Sequence, residues 1–326
     1  MDFLRAESLP WLDDALERIR RAAASGRLPH SLLILSAPGL GATQLAAWTC
    51  AFALCERSDR RPCGECAACT LLRADSHPDM HAVRLEEDAQ QIKVDQVRGL
   101  IEVLVQKSFR GGYKVGLIED AETLNMNGAN AFLKTLEEPG GNTMLILTAA
   151  RSHRLPATVA SRCLRLVLRA PDPALARAWL SAESGAAGSW DAALALAGGA
   201  PLLALELQTT GLAQLDAEMR DCLARLGAGT IDLTILADRW VRSDPVLRVR
   251  WLENWVTGRI VAGLAGDGSS ESAERVRLPG DLLKAKIRAQ YAFLDAAREH
   301  RRLASTGMNQ QLALEMLLLR SRSALS

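Results

Sequence analysis

The stretch SLLILSAPGLGAT, residues 31–43, decides how the rest of this chain is interpreted. An apolar run, Leu32–Leu35, is followed by a turn that contains Gly39 and Gly41, and a helical pattern follows Thr43. A strand, a glycine-rich turn and a helix in this order are the context of a phosphate-binding loop, in which backbone N–H groups and the helix N-terminus surround the phosphates. The sequence therefore predicts the shape of a nucleotide site.

The charge that such a loop needs is absent. A working loop carries a lysine immediately before its serine or threonine, where the lysine neutralises the β- and γ-phosphates. Ala42 occupies that position. The remaining elements, Gly39, Gly41 and Thr43, could still hold an anion weakly, but we expect no tight binding of a nucleotide. We interpret the stretch as a degenerate phosphate loop.

An acidic pair follows a second apolar strand pattern. Lys114–Ile118 is predicted to be a buried strand, and Glu119 and Asp120 come directly after it. In a Walker B motif, acidic residues at this point hold Mg²⁺ and polarise water. The same residues would also suit the N-cap of a following helix. The residues alone leave both interpretations open.

The order of the elements predicts the fold class. Short apolar segments alternate with helical patterns up to residue 169, which is typical of a parallel, doubly wound α/β sheet. Its last strand, near Leu164–Leu168, is predicted to have one polar edge. Beyond a linker that begins at Ala170 we find only helical patterns. We expect three domains: an α/β P-loop-like domain at 1–169, a small helical domain at 170–211 and a helical domain at 212–326.

Four of the seven cysteines lie in one short insertion, residues 55–69. Cys55, Cys63, Cys66 and Cys69 have the spacing C-x7-C-x2-C-x2-C, and paired C-x2-C units deliver thiolates to one zinc ion. Such a zinc is structural, because four thiolates leave no open position for water. Unmetallated thiols or a redox pair are the alternatives.

Composition excludes some classes of protein. The net charge is +1, so no basic field across the whole chain indicates nucleic-acid binding. No apolar run is long enough for a membrane span, and the N-terminus lacks a signal pattern. We expect a cytoplasmic protein, in which thiols stay reduced and serve as ligands or core.

Two further strings complete a resemblance. LKTLEEP, Leu133–Pro139, and Ser161-Arg162-Cys163 follow the degenerate loop and the cysteine insertion in that order. Together these features resemble bacterial clamp-loader subunits of the AAA+ class, over nearly the whole chain. The resemblance implies an AAA+ domain at 1–169, a lid domain at 170–211 and an oligomeric collar domain at 212–326.

The nucleotide residues favour a non-catalytic member of that family. Gamma/tau subunits share the strings but are working ATPases. In this chain Ala42 replaces the lysine of the loop, and Ala149-Ala150 stand where the family resembled has a polar sensor residue. Pro201-Leu202 stand where it has the arginine of a second sensor. Losing several such groups makes hydrolysis by this chain implausible, since charge stabilisation supplies most of the catalysis in phosphoryl transfer. An active gamma/tau-like ATPase is the alternative.

The resemblance also implies partners and a role for Arg162. It implies an arginine finger that reaches the ATP site of an adjacent gamma/tau subunit. It implies a hetero-pentamer with gamma/tau and delta, which loads the sliding clamp on primed DNA within the DNA polymerase III holoenzyme, a DNA-directed DNA polymerase and nucleotidyltransferase.

An alternative from another class is a stand-alone zinc-containing DNA-binding protein. It would need a basic groove beside the metal. The arginines near the cysteines are offset by acidic neighbours, which argues against such a groove; the residues are Arg57, Arg60 and Arg61 against Glu56, Asp59 and Glu65.

Overall fold

The computed structural model describes residues 2–86, 89, 91–150, 155–185, 190–243, 245–265, 280–303 and 309–325. Contacts divide the chain into two compact units. The first comprises Met1–Trp190 and Gly199–Ala204, and the second comprises Asp191–Gly198 and Leu205–Ser326. The three predicted domains stay a prediction.

The first unit is built on a five-stranded sheet. The strands are β1 Ser31–Leu35, β2 Met80–Val83, β3 Lys114–Ile118, β4 Thr143–Ala149 and β5 Leu164–Val167. Their order is β2-β3-β4-β1-β5, and every pairing is parallel. The predicted parallel α/β sheet is therefore confirmed.

The inner strands follow the rule for parallel sheets, which helices cover on both faces. β3 and β4 are buried at every residue, so they appear in the sequence as continuous apolar runs rather than as alternating patterns. The helices of this unit are α1 Asp13–Ala24, α2 Ala42–Leu54, α3 Ala67–Arg73, α4 Val94–Val105, α5 Met126–Glu137, α6 Ala157–Ala160 and α7 Pro173–Ser184. Two short 3-10 helices, Phe3–Ser8 and Pro10–Leu12, precede α1.

The outer strand β5 pairs with β1 alone, and three of its four residues are exposed instead of every second one. Leu166 and Leu168 are buried, but Leu164 is 51% exposed and Val167 is 55% exposed. An edge strand has no second neighbour to cover it, so part of its apolar surface faces solvent. In the sequence, β5 directly follows the Ser161-Arg162-Cys163 string.

The second unit is helical among its described residues. It contains α8 Asp191–Leu196, the C-terminal part of α9 Pro201–Thr210, α10 Leu212–Gly227, α11 Leu233–Arg242, α12 Pro245–Ala265, α13 Gly280–Leu303 and α14 Gln310–Leu325. Its core includes Trp240, Leu252 and Phe293. No helix in the described part of the chain combines the length and the apolarity that crossing a membrane requires.

Helix α14 buries one face and exposes another. Leu314, Leu317 and Leu318 are at most 3% exposed, whereas Leu312, Met316 and Leu319 are 53–58% exposed. The exposed residues recur at a spacing of four and three, so they form one apolar stripe along the helix. We call Leu312, Met316 and Leu319 the α14 stripe.

Candidate functional site

The predicted phosphate loop has the backbone of one. β1 ends at Leu35, and α2 begins at Ala42 with Gly41 as its N-cap. Gly39 has a φ of 79° and Gly41 a φ of 94°, which is the left-handed region that side chains disfavour. The two glycines are therefore required by the path of the chain from strand to helix.

One side of this loop is covered by the start of α9. The backbone N–H of Leu202 donates a hydrogen bond to the carbonyl oxygen of Gly39 over 3.1 Å. A Cβ added to Gly39 would lie 2.4 Å from the Cβ of Leu203 and 2.6 Å from its backbone nitrogen. Only a glycine leaves room for so close a contact. Leu202, one of the two residues at the predicted position of the second sensor, thus contacts the loop directly.

The other side is covered by the N-terminal 3-10 helices. The indole Nε1 of Trp11 donates to the carbonyl oxygen of Leu40 over 2.9 Å. A Cβ added to Gly41 would lie 3.2 Å from the Cδ1 atoms of Leu9 and Leu12. Apolar side chains and one indole therefore surround the turn, and none of these groups carries charge for a phosphate.

The acidic pair at the end of β3 is engaged within the chain. The Nε of Arg84 donates to Glu119 over 2.9 Å, and this hydrogen bond raises the pKa of the Arg84 guanidinium. Asp120 has a φ of 50° and its N–H donates to the hydroxyl of Thr148. It occupies the N-cap of a 3-10 turn, Ala121–Thr123, without a capping side-chain bond. Glu119 and Asp120 therefore lie where either a Walker B pair or an N-cap would lie, but Asp120 makes no capping bond and Glu119 is already paired with Arg84.

A cavity of about 500 Å³ lies beside these groups. Thr43, Arg84 and Glu119 are among its lining residues. A metal ion held here by Glu119 would have to compete with the Arg84 guanidinium, which already neutralises that carboxylate. Two further carboxylates, those of Asp2 and Asp75, also line the cavity, so magnesium binding by Glu119 stays a prediction.

The four cysteines of the insertion come together. Their Sγ atoms all lie within 4.8 Å of one another, and two pairs, Cys55 with Cys66 and Cys63 with Cys69, are 4.0 Å and 3.9 Å apart. Four Zn–S bonds of about 2.3 Å in a tetrahedron separate the sulfurs by about 3.8 Å. The donor set and its size therefore fit a zinc ion.

Backbone N–H groups donate to sulfurs of this cluster. The N–H groups of Glu65 and Cys66 donate to the Sγ of Cys63, and the N–H of Cys69 donates to that of Cys66. Burial raises the pKa of the Cys63 thiol, but the N–H groups of Glu65 and Cys66 and the thiols of Cys66 and Cys55 lower it to about 6. Burial raises the pKa of the Cys55 and Cys69 thiols. Cys50 lies elsewhere in the core and is fully buried.

Arg162 lies at the surface of the first unit, between α6 and β5. Its Nε donates to Glu137 Oε1 over 2.6 Å, and its Nη2 forms an ion pair with the same oxygen. Its Nη1 donates to the carbonyl oxygen of Thr158 over 2.8 Å. The Arg162 side chain is 33% exposed, whereas its neighbour Cys163 is buried.

Comparisons with known proteins give the family. Residues 11–172 match a family model described as DNA polymerase III, delta subunit. The chain is 35% identical to the DNA polymerase III subunit delta′ of Pseudomonas aeruginosa, covering 89% of this chain and 90% of that protein. It is 31% identical to the subunit of the same name from Yersinia pestis, with 97% and 96% covered.

The chain belongs to the delta′ family of DNA polymerase III subunits.

The likeness to a tau subunit is more limited. The chain is 30% identical to the DNA polymerase III subunit tau of Escherichia coli, but the match covers 49% of this chain and 25% of that protein. Membership of the delta′ family thus agrees with the resemblance, and neither alternative, a gamma/tau-like chain or an unrelated zinc protein, is favoured.

Three residues of this delta′-family site escaped the sequence analysis: Arg84, Glu137 and Leu203. Glu137 lies within the LKTLEEP string, so its position was a usable signal. The sequence gives no signal for Arg84 or Leu203, because each meets its partner only through the tertiary fold. Leu203, for example, packs on Gly39, which lies 164 positions earlier in the chain.

Proposed function

We propose that this chain is a non-catalytic subunit of a clamp loader in the DNA polymerase III holoenzyme. It helps to load the sliding clamp on primed DNA in the cytoplasm, without hydrolysing ATP itself. It lends Arg162 to the ATP site of a neighbouring gamma/tau subunit. The close contact between Leu203 and Gly39 is the observation that carries the first part of this proposal.

Three features support the absence of ATPase activity. Ala42 removes the cation that a triphosphate needs. The start of α9 and the N-terminal 3-10 helices occupy both sides of the turn, so a phosphate would have to displace well-packed groups. Arg84 neutralises Glu119. A subunit without a nucleotide has no ligand to shift its conformational balance, so it acts as a fixed wall against which the ATPase subunits move.

The position of Arg162 supports its action on another molecule. A guanidinium is planar and permanently charged, so it can stabilise the charge that develops on a transferring phosphoryl group. Arg162 is partly exposed and lies just before the edge strand β5. We assign it the role of an arginine finger in trans.

The cysteine centre is proposed to bind structural zinc through Cys55, Cys63, Cys66 and Cys69. When bound, the ion would tie together a segment whose other residues are mostly polar. Gly64, inside the segment, packs against Leu4: a Cβ added there would lie 3.0 Å from the Leu4 Cδ1. The metal would therefore also stabilise the N-terminal 3-10 helix, which leads to the residues that cover the loop.

The helical part of the chain is proposed to assemble the complex. We assign 170–211 as a lid domain and 212–326 as a collar domain, with gamma/tau and delta as the partner subunits of a hetero-pentamer. The α14 stripe supports this, since an exposed apolar row on a helix is typical of a surface that a partner covers.

Two measurements on the purified protein test the proposal. Calorimetry should detect no binding of Mg·ATP to the isolated chain at micromolar concentrations. Copurification with gamma/tau and delta should give a complex in which subunits can be counted by native mass spectrometry. Micromolar affinity for ATP in the isolated chain would favour the gamma/tau-like alternative, and failure to assemble would overturn the clamp-loader assignment.

A further inference from the structure

We infer that Glu137 is a positioning residue, which holds the Arg162 guanidinium in the orientation that a neighbouring phosphate requires. The inference rests on the proposed role of Arg162 in trans. It assigns a function to a carboxylate that lies 25 residues earlier in the chain, at the last position of α5.

The geometry of the pair leaves two N–H donors of the guanidinium available. Arginine carries five N–H donors in a rigid planar fork. Nε and Nη2 are directed at Glu137 Oε1, and Nη1 donates to the Thr158 carbonyl oxygen. These three interactions leave one N–H on each Nη nitrogen. The guanidinium therefore keeps a donor on each Nη nitrogen for the oxygens of a phosphate, so its interaction with Glu137 is compatible with phosphate binding.

The groups that hold Arg162 stand on a rigid base. Glu137 ends α5 and Thr158 lies in α6. The two helices share one hydrophobic cluster, to which α5 contributes Phe132 and Leu136 and α6 contributes Val159. Because well-packed helices move little relative to each other, the carboxylate and the carbonyl fix the guanidinium from two directions. An arginine without such partners would sample many rotamers and would lose that freedom on reaching a phosphate.

The Glu137–Arg162 pair is suited to orientation more than to stability. Both side chains are partly exposed, Arg162 at 33% and Glu137 at 51%, and exposed ion pairs contribute little to the free energy of folding. Variants at Glu137 should therefore fold and assemble. Among the described residues, the adjacent Glu138 accepts no hydrogen bond from Arg162, so it provides a matched control carboxylate.

The test uses the complete reconstituted loader with clamp and primed DNA. Single-turnover hydrolysis of ATP is measured for Glu137→Ala, Glu137→Gln, Glu138→Ala, Arg162→Ala and the double variant Glu137→Ala/Arg162→Ala. A misplaced catalytic group of this kind costs about 10–100-fold in rate, so Glu137→Ala should produce a slow phase of that size for ATP at the interface beside this subunit. ATP affinity should not change, Glu138→Ala should match the wild type, and Glu137→Gln, which keeps an acceptor oxygen, should be less affected.

The double variant separates positioning from an independent effect. If Glu137 acts through Arg162, Glu137→Ala adds nothing to the slow phase of Arg162→Ala. Equal slowing in both backgrounds would overturn the inference, as would wild-type or faster hydrolysis by Glu137→Ala. A slow phase in Arg162→Ala with normal kinetics in both Glu137 variants would overturn the inference and leave the proposed function standing. Normal kinetics in Arg162→Ala would overturn the role in trans itself.

Discussion

The backbone N–H of Leu202 donates a hydrogen bond to the carbonyl oxygen of Gly39, and this bond fastens the first turn of α9 to the phosphate loop. In the sequence, the proposed loss of nucleotide chemistry rests on the missing lysine, which Ala42 replaces. In the fold, the same loop has become a packing surface for the chain that covers it. Restoring the charge should therefore not restore the site.

Ala42→Lys tests this directly. The lysine would supply the missing cation, but Leu203 would still lie against Gly39. We expect no micromolar binding of Mg·ATP by this variant, as measured by titration calorimetry. A gain of micromolar affinity from this single substitution would mean that the loop is open to nucleotide and that charge alone was lost.

Gly39→Ala should destabilise the first unit. A side chain at a φ of 79° is strained, and its Cβ would lie 2.4 Å from that of Leu203. Backbone strain alone costs about 1–3 kcal/mol, so the free energy of unfolding should fall by at least that much in urea titrations. Gly140→Ala is the control, because Gly140 has open space around it. Equal stability of the two variants would contradict the described contact.

Zinc retention should depend on the four clustered cysteines. The purified chain should carry about one zinc ion, measured by atomic emission after dialysis, and a Cys63→Ser variant should carry none. Removing the metal with a chelator should lower the free energy of unfolding by at least about 2 kcal/mol, since binding to the folded chain stabilises it. Cys222→Ser, in α10, should retain the ion. Full zinc occupancy without Cys63 would rule out the proposed ligand set.

Charge on the α14 stripe should weaken assembly. Leu312→Lys with Met316→Lys should leave the circular dichroism of the chain unchanged, because both side chains are more than half exposed. Binding to the partner subunits should weaken by about tenfold or more, since charge replaces apolar side chains that the partner would cover. Ile235→Lys, at another exposed apolar residue, on α11, is the control. Unchanged assembly of the stripe variant would remove α14 from the interface.

The sequence predicts those parts of the fold in which each residue follows from its neighbours. β3 and β4 could be predicted because burial on both faces makes every residue apolar. The strand, turn and helix around Gly39 could be predicted because a left-handed backbone needs glycine. The exposure of Leu164 could not, because it depends on β5 lying at the edge of the sheet.

The partners of the site residues depend on distant parts of the chain, which is why sequence reasoning stopped short of them. Nothing near Arg162 indicates that its guanidinium meets the last residue of α5. Likewise, the sequence around Glu119 indicates a metal ligand, and only the structure shows that the Nε of Arg84 lies 2.9 Å from its Oε1. The residue types in the site could be read from the sequence, but their interactions required the structure.

The central claim is that this chain contributes Arg162 to catalysis that takes place on another subunit, and one measurement addresses it most directly. Loaders reconstituted with wild-type, Arg162→Ala or Arg165→Ala protein are compared in single-turnover ATP hydrolysis with clamp and primed DNA. We predict normal assembly for all three, normal hydrolysis with Arg165→Ala, and, with Arg162→Ala, a phase slowed by about 10³-fold or more at the adjacent site. Wild-type kinetics in the Arg162→Ala loader would contradict the account.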